Sequence, residues 1–162
     1  MLLRNLYPER LRREPCAKPH SKLRKESLEC RRNTSIPPGV PAHPYFTRVL
    51  CITSPSKLVY IAGQVPSDDQ YKPVHVGDIR AQFIAVIESL TVQLRAIGAT
   101  WDDVVFRRMY ALDVPAFMKH CVQDKAFPLP WERPSPSTLI GVTALSNPDF
   151  LVELEILVII AE

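Results

Sequence analysis

From Asp78 to Ile97 the apolar residues Ile79, Phe83, Val86, Ile87, Leu90, Leu94 and Ile97 recur at helical spacing, which puts them on one stripe of an amphipathic helix. Asp78 can accept hydrogen bonds from the first free backbone amides of that helix. Gly98 stands where a left-handed residue ends one. Outside this stretch the pattern shortens to strand-length runs. Arg48 to Thr53 alternates, Leu58 to Ala62 is short and mostly apolar, and Ser54-Pro55-Ser56-Lys57 between them is turn chemistry. The two runs are predicted to pair as a hairpin. Thr100-Trp101-Asp102-Asp103 resembles a capped turn leading into a strand over Val104 to Leu112. Pro115 suits the first turn of a second helix, predicted over Pro115 to Ala126. The prolines of Phe127 to Pro134 block helix and ladder alike, so that stretch is a loop. Ser137 to Thr143 and Leu151 to Ile160 are the last two strands, with a turn at Asn147-Pro148-Asp149.

Two helices among five or six strands predict an α+β fold, a single mixed sheet with both helices packed on one face. The opposite face of that sheet is still apolar and needs a covering surface, so association is expected. The 162 residues suit one domain with an appendage. Residues 1–35 read as a disordered, basic N-terminal extension and residues 36–162 as the domain, entered through Ile36-Pro37-Pro38-Gly39-Val40-Pro41.

Charge divides along the same boundary. Residues 1–33 hold ten Lys or Arg against four Glu, and the remainder holds ten basic against thirteen acidic residues. The folded part therefore offers no electrostatic case for nucleic acid. No apolar run approaches the ~18–20 residues that span a membrane. The expected location is cytoplasmic; the alternative is mitochondrial targeting by the N-terminal extension, against which Glu9, Glu14, Glu26 and Glu29 argue. An over-extended gene would account for the same segment. Cys16, Cys30, Cys51 and Cys121 show no metal spacing, and the four histidines are scattered, so no metal site is predicted. There is no phosphate-cradling glycine loop, dinucleotide fingerprint or Ser/His/Asp arrangement.

The fixed points Ile61-Ala62-Gly63-Gln64, Trp101-Asp102-Asp103-Val104-Val105, Asp113, Ser137-Thr138-Leu139-Ile140-Gly141-Val142 and Phe150-Leu151-Val152-Glu153-Leu154-Glu155-Ile156 occur in an order that resembles the Rid (reactive intermediate deaminase) family, also called YjgF or RutC-like. The resemblance covers about residues 36–162. It implies a chorismate-mutase-like fold, a homotrimer whose sheets form a central barrel, and a small-molecule site in the cleft between subunits. The implied chemistry is hydrolysis of an enamine or imine to a carbonyl compound and ammonia, with no cofactor. Carried over by position, Tyr45 matches a pocket tyrosine, Gly63 and Gln64 match a glycine-glutamine pair with Ala62 in place of serine, and Glu153 matches the glutamate on the last strand that helps to position water. Cys121 falls where a pocket asparagine is usual. As an alternative role it could act as a nucleophile or redox sensor, although no His-Asp arrangement adjoins it.

One position departs from the family. The Pro-x-Arg-Ser/Thr motif reads Ser135-Pro136-Ser137-Thr138 here, so Ser137 replaces the arginine that clamps a substrate carboxylate and Thr138 keeps its neighbour. A hydroxyl offers one donor where a guanidinium offers a charged fork. The chain thus resembles an arginine-less, YjgH-like branch. Arg133, four residues upstream, is read as a loop arginine facing solvent, with substitution for the missing cation as the alternative, and Arg107 and Arg108 point to opposite sheet faces. Three functions stay open: a cofactor-free deaminase of a small reactive enamine or imine other than 2-aminoacrylate, a non-catalytic small-molecule-binding or scaffolding trimer, and a ribonuclease or translation inhibitor, disfavoured by the acidic domain.

Overall fold

A computed structural model describes residues 31–35, 49–53, 57–124 and 135–160. Its central element is β6, Val152–Ile160, which alternates apolar and polar positions at its start. Val152, Leu154, Ile156 and Val158 are buried, whereas Glu153 and Glu155 between them are half-exposed. Such alternation puts one set under a helical layer and the other on the opposite face. β3 (Lys57–Gln64) pairs antiparallel with β6 on one side and β4 (Val104–Ala111) pairs antiparallel on the other. β5 (Ser137–Gly141) adds to β4 in parallel. The order β3-β6-β4-β5 makes a mixed, four-stranded sheet.

The long helix α1, Ile79–Ala96, lies on the face that carries those buried residues. It begins as its sequence dictates: the Asp78 carboxylate accepts from the backbone N–H of Arg80 at 3.0 Å and of Ala81 at 2.9 Å. It ends at Gly98, whose φ of 72° is left-handed. Phe83, Val86, Ile87, Leu90 and Leu94 are buried against Ile61, Leu154, Ile156 and Val158 in one core. Phe83 meets Phe117 edge to face, ring centroids 5.0 Å apart. The turn at Trp101–Asp103 is capped as expected, with the Thr100 N–H donating to the Asp103 carboxylate at 2.8 Å.

Four expectations are corrected. The sheet is open, with β3 and β5 as unjoined edges, so the expected central barrel is overturned. Closing it would need a β3–β5 ladder, and no such pairing occurs: β3 pairs with β6 and β5 with β4. The single sheet is overturned as well. β2 (Val49–Thr53) pairs with β1 (Arg31–Ser35), a strand that the pattern of the chain did not announce, in a separate two-stranded sheet. It follows that β2 and β3 form no hairpin: β3 is long enough to cover β6, and burial of Val59 and Ile61 against the core selects that partner. Finally, the second helix is short. α2 spans Val114–Phe117, capped by Asp113, and gives way to a π-helical turn at Met118–Gln123. The wider turn keeps Met118, Cys121 and Val122 against the core.

Gln82 is the one uncharged polar side chain of α1 that is wholly buried, and it stitches two loops to the helix. Its amide nitrogen donates to the Asp149 carbonyl at 2.7 Å and the Val74 carbonyl at 3.3 Å, and its oxygen accepts from the Leu151 N–H at 2.8 Å. Gln82→Leu keeps the volume and strands these buried backbone groups. We expect it to lower unfolding stability by about 2–3 kcal/mol in urea titration.

Candidate functional site

A β-bulge in β3 between Ile61 and Gln64 breaks the register with β6 and brings Gly63 beneath the Glu153 side chain. A Cβ at position 63 would overlap the Glu153 carboxyl group. Glycine here lets the carboxyl rest against the backbone; a larger residue would push the flexible end of Glu153 out of this place. Glu153 is held on the sheet face away from α1, opposite Tyr110 of β4. Burial first, and the neighbouring charge of Glu155 second, push its carboxyl above the usual glutamate range. Among the described residues none donates a hydrogen bond to that carboxyl.

Gln64 is adjacent but turned toward the helix. Its oxygen accepts from Gln93 Nε2 at 2.7 Å and from Ser89 Oγ at 3.5 Å, and its nitrogen donates to the Ala62 carbonyl at 3.0 Å. Its role is to brace the bulge against α1. Beside the bulge, the same sheet face holds a hollow of about 420 Å³ lined by Tyr60, Ala62, Phe106, Arg108, Glu155 and Leu157. Arg108 is ion-paired with Glu155 and stacks over the Phe106 ring at 5.3 Å. Tyr60 is 77% exposed and Leu58 49%, a large apolar surface for one sheet.

The remaining candidate residues lie elsewhere. Ser137 and Thr138 begin β5, two strands from β6. Ser137 is the register partner of Arg107 and shares the helix-side face with Leu139, whereas Thr138 falls in the row Thr138–Arg108–Glu155. Ser137 and Glu153 thus occupy opposite faces and do not converge within one chain. Cys121 sits in the core on the π-helical turn, 2% exposed, with its thiol 3.7 Å from the Ile79 carbonyl. Burial pushes the thiol up to about 12, which removes the thiolate a nucleophile or redox sensor needs. Tyr45 and Arg133 lie outside the described residues. Arg107 is buried on the helix side, where burial lowers it to about 10 and its guanidinium is 3.4 Å from the Ser135 carbonyl.

Residues that the motif reading missed are Tyr60, Phe106 and Tyr110. Period-two alternation across Phe106-Arg108-Tyr110 carried the signal, since it places all three beside Glu153 and Glu155. Among the described residues, no three His, Cys, Asp or Glu converge on a metal-sized site, and no helix is long and apolar enough to cross a membrane.

A bulged edge strand under a carboxylate, on a mixed sheet backed by one long helix, defines an α+β domain with a carboxyl group on its open sheet face. The family model described as Endoribonuclease L-PSP matches residues 39–160. The chain belongs to that family, which embraces the Rid, YjgF and RutC proteins. It is 31% identical over 122 residues to the 3-aminoacrylate deaminase RutC of Acinetobacter baylyi, covering 74% of this chain and 90% of the relative. Among solved structures it is similar to YyfB of Yersinia pestis, a protein of unknown function in the Rid family, with a TM-score of 0.65 and 27% identity over 80% of this chain and 98% of the other. The protein YJGH is similar at a TM-score of 0.55 and 27% identity, covering 68% and 82% of the two chains.

A glutamate that folding drives toward its neutral form costs stability once it ionises. The sign follows from the raised proton affinity: the folded state is favoured while Glu153 is protonated, and that advantage is lost as pH rises through its folded-state titration. Glu153→Gln is therefore expected to melt higher than the parent at about pH 7, with the difference shrinking by about pH 3, below the unfolded glutamate's titration, in scanning calorimetry.

Proposed function

We propose that this protein is a cofactor-free hydrolase that converts a small enamine or imine to a carbonyl compound and ammonia, with Glu153 as its acid–base group. The carrying observation is the Glu153 carboxyl, seated over Gly63 on the open sheet face with a raised proton affinity. Ionised, it takes a proton from water as the oxygen bonds to the iminium carbon. It then returns that proton to nitrogen and, ionised again, takes the hydroxyl proton as the C–O bond becomes a carbonyl and the C–N bond breaks to release ammonia. The family supports the reaction class, and the deaminase of A. baylyi supplies the analogy.

The separation of Ser137 from Glu153 supports a cleft completed by a second copy, with the β5 edge of one copy facing the bulge of another. A homotrimer is the assembly we infer. The exposed face around Tyr60 and Leu58 supports self-association. With Ser137 in the arginine position, the cleft offers a hydroxyl where a carboxylate would need a cation, so the substrate is neutral or differently charged and the chain sits with the arginine-less, YjgH-like members. The same substitution favours a second reading, a binding protein that keeps the cleft without the chemistry. A ligand that raises the melting temperature and is recovered unchanged would mark that outcome.

Imines generated in situ by amino-acid oxidases, acidic and neutral, test the reading through ammonia release. Neutral substrates are expected to be accelerated, and Glu153→Gln to remove roughly 100-fold or more of that acceleration. Rapid turnover of 2-aminoacrylate that Ser137→Ala leaves unchanged would overturn the substrate assignment. In the converse experiment, Ser137→Arg restores a charged fork. It is expected to raise kcat/KM for acidic imines by roughly 10- to 1000-fold, each charge-assisted bond being worth about 1.5–3 kcal/mol.

A further inference from the structure

Three groups on the open sheet face form a line of charge. Glu153 and Glu155 are two residues apart on β6 and so project from the same face about 7 Å apart along the strand. Arg108 is the register partner of Glu155, binds its carboxylate, and lies flat over Phe106 at 5.3 Å. Tyr110, two residues along β4, is the register partner of Glu153 and flanks Arg108. The β3 residues beside Glu153 are Gly63 and Gln64, neither of which titrates, and Gln64 is bonded to the uncharged Ser89 and Gln93 of α1. Among the described residues, the charged or titratable groups facing Glu153 are therefore Glu155, Arg108 and Tyr110.

We propose that Arg108 and Glu155 are positioning residues that govern the charge of Glu153. The pair rests on the assignment of Glu153 as the acid–base group and specifies how that group is controlled. Glu155 repels a second negative charge two residues away and holds a proton on Glu153. Arg108, held at Glu155 by the ion pair and over the Phe106 ring, offsets part of that repulsion and favours the ionised form of Glu153. Tyr110 and then Glu155 strengthen the hold of Arg108 on its own proton, so the cation persists across the working pH range.

The test follows the Glu153 carboxyl carbon by NMR titration in ¹³C-glutamate-labelled full-length protein, its resonance assigned by its loss in Glu153→Gln. Arg108→Met keeps the stem over Phe106 and removes the cation; the Glu153 midpoint is expected to rise. Glu155→Gln removes the repelling charge and leaves Arg108; the midpoint is expected to fall. Each shift should be about half to one and a half pH units, the range for unit charges at this spacing between a watery and a partly buried setting. Arg108→Lys should restore the midpoint, and the double variant should fall between the two single ones. Unchanged midpoints, or shifts of the same sign in Arg108→Met and Glu155→Gln, would overturn the proposal. The acidic limb of the rate of ammonia release should move with the NMR midpoint. If the midpoint moves and the rate does not, the pair stands and Glu153 is removed from the chemistry instead.

Discussion

The period-two alternation of β6 is the constraint on which the rest of the structure depends. Val152, Leu154, Ile156 and Val158 require the helical layer, and by the geometry of a strand they force Glu153 and Glu155 onto the other side. The carboxylates are therefore placed by the same burial that builds the core. A one-residue slip would bury two charges and expose four apolar side chains, so the register is specified strongly. The pairing of β3 and β4 with both edges of β6 then decides which groups stand around the glutamates.

The two faces of the sheet have different work. The α1 face is a packed apolar core, with Gln82 as its satisfied polar member. The outer face mixes Tyr60, Phe106 and Leu157 with Arg108 and Glu155. Such a surface is too apolar to be only solvated and too charged to be only core. The bulge at Gly63 gives Glu153 a partly buried seat, and the resulting raised proton affinity is a local cost to stability at neutral pH. Structure that strains against its own ionisation in this way is common where a group must exchange protons.

Legibility varied from element to element for physical reasons. α1 could be read to within a residue because its cap at Asp78, its stripe and its stop at Gly98 are all local. The second helix could not, since the switch to a π-helical turn after Phe117 answers to the core around Cys121 and not to propensity. Adjacent runs suggested a β2–β3 hairpin, yet strand partners are chosen by faces that must be covered, and β3 found β6 nearly a hundred residues away. At the candidate site, Gly63 and Glu153 were legible as motif positions. The burial of Cys121 was legible only in part, because depth in the core is a tertiary property.

By itself the sequence determined the α+β class, the amphipathic helix over Ile79–Ala96, the family pattern, the serine at position 137 and the face on which Glu153 must lie, all of which follow from residue identity and short-range periodicity. Tertiary structure alone decided that the sheet is open and separate from β1–β2, that Gly63 lies under Glu153, that Ser137 faces away from it, and that Arg108 rather than Arg107 joins the carboxylates. These are matters of strand order and register. They depend on contacts between residues far apart in the chain, about which local pattern is silent.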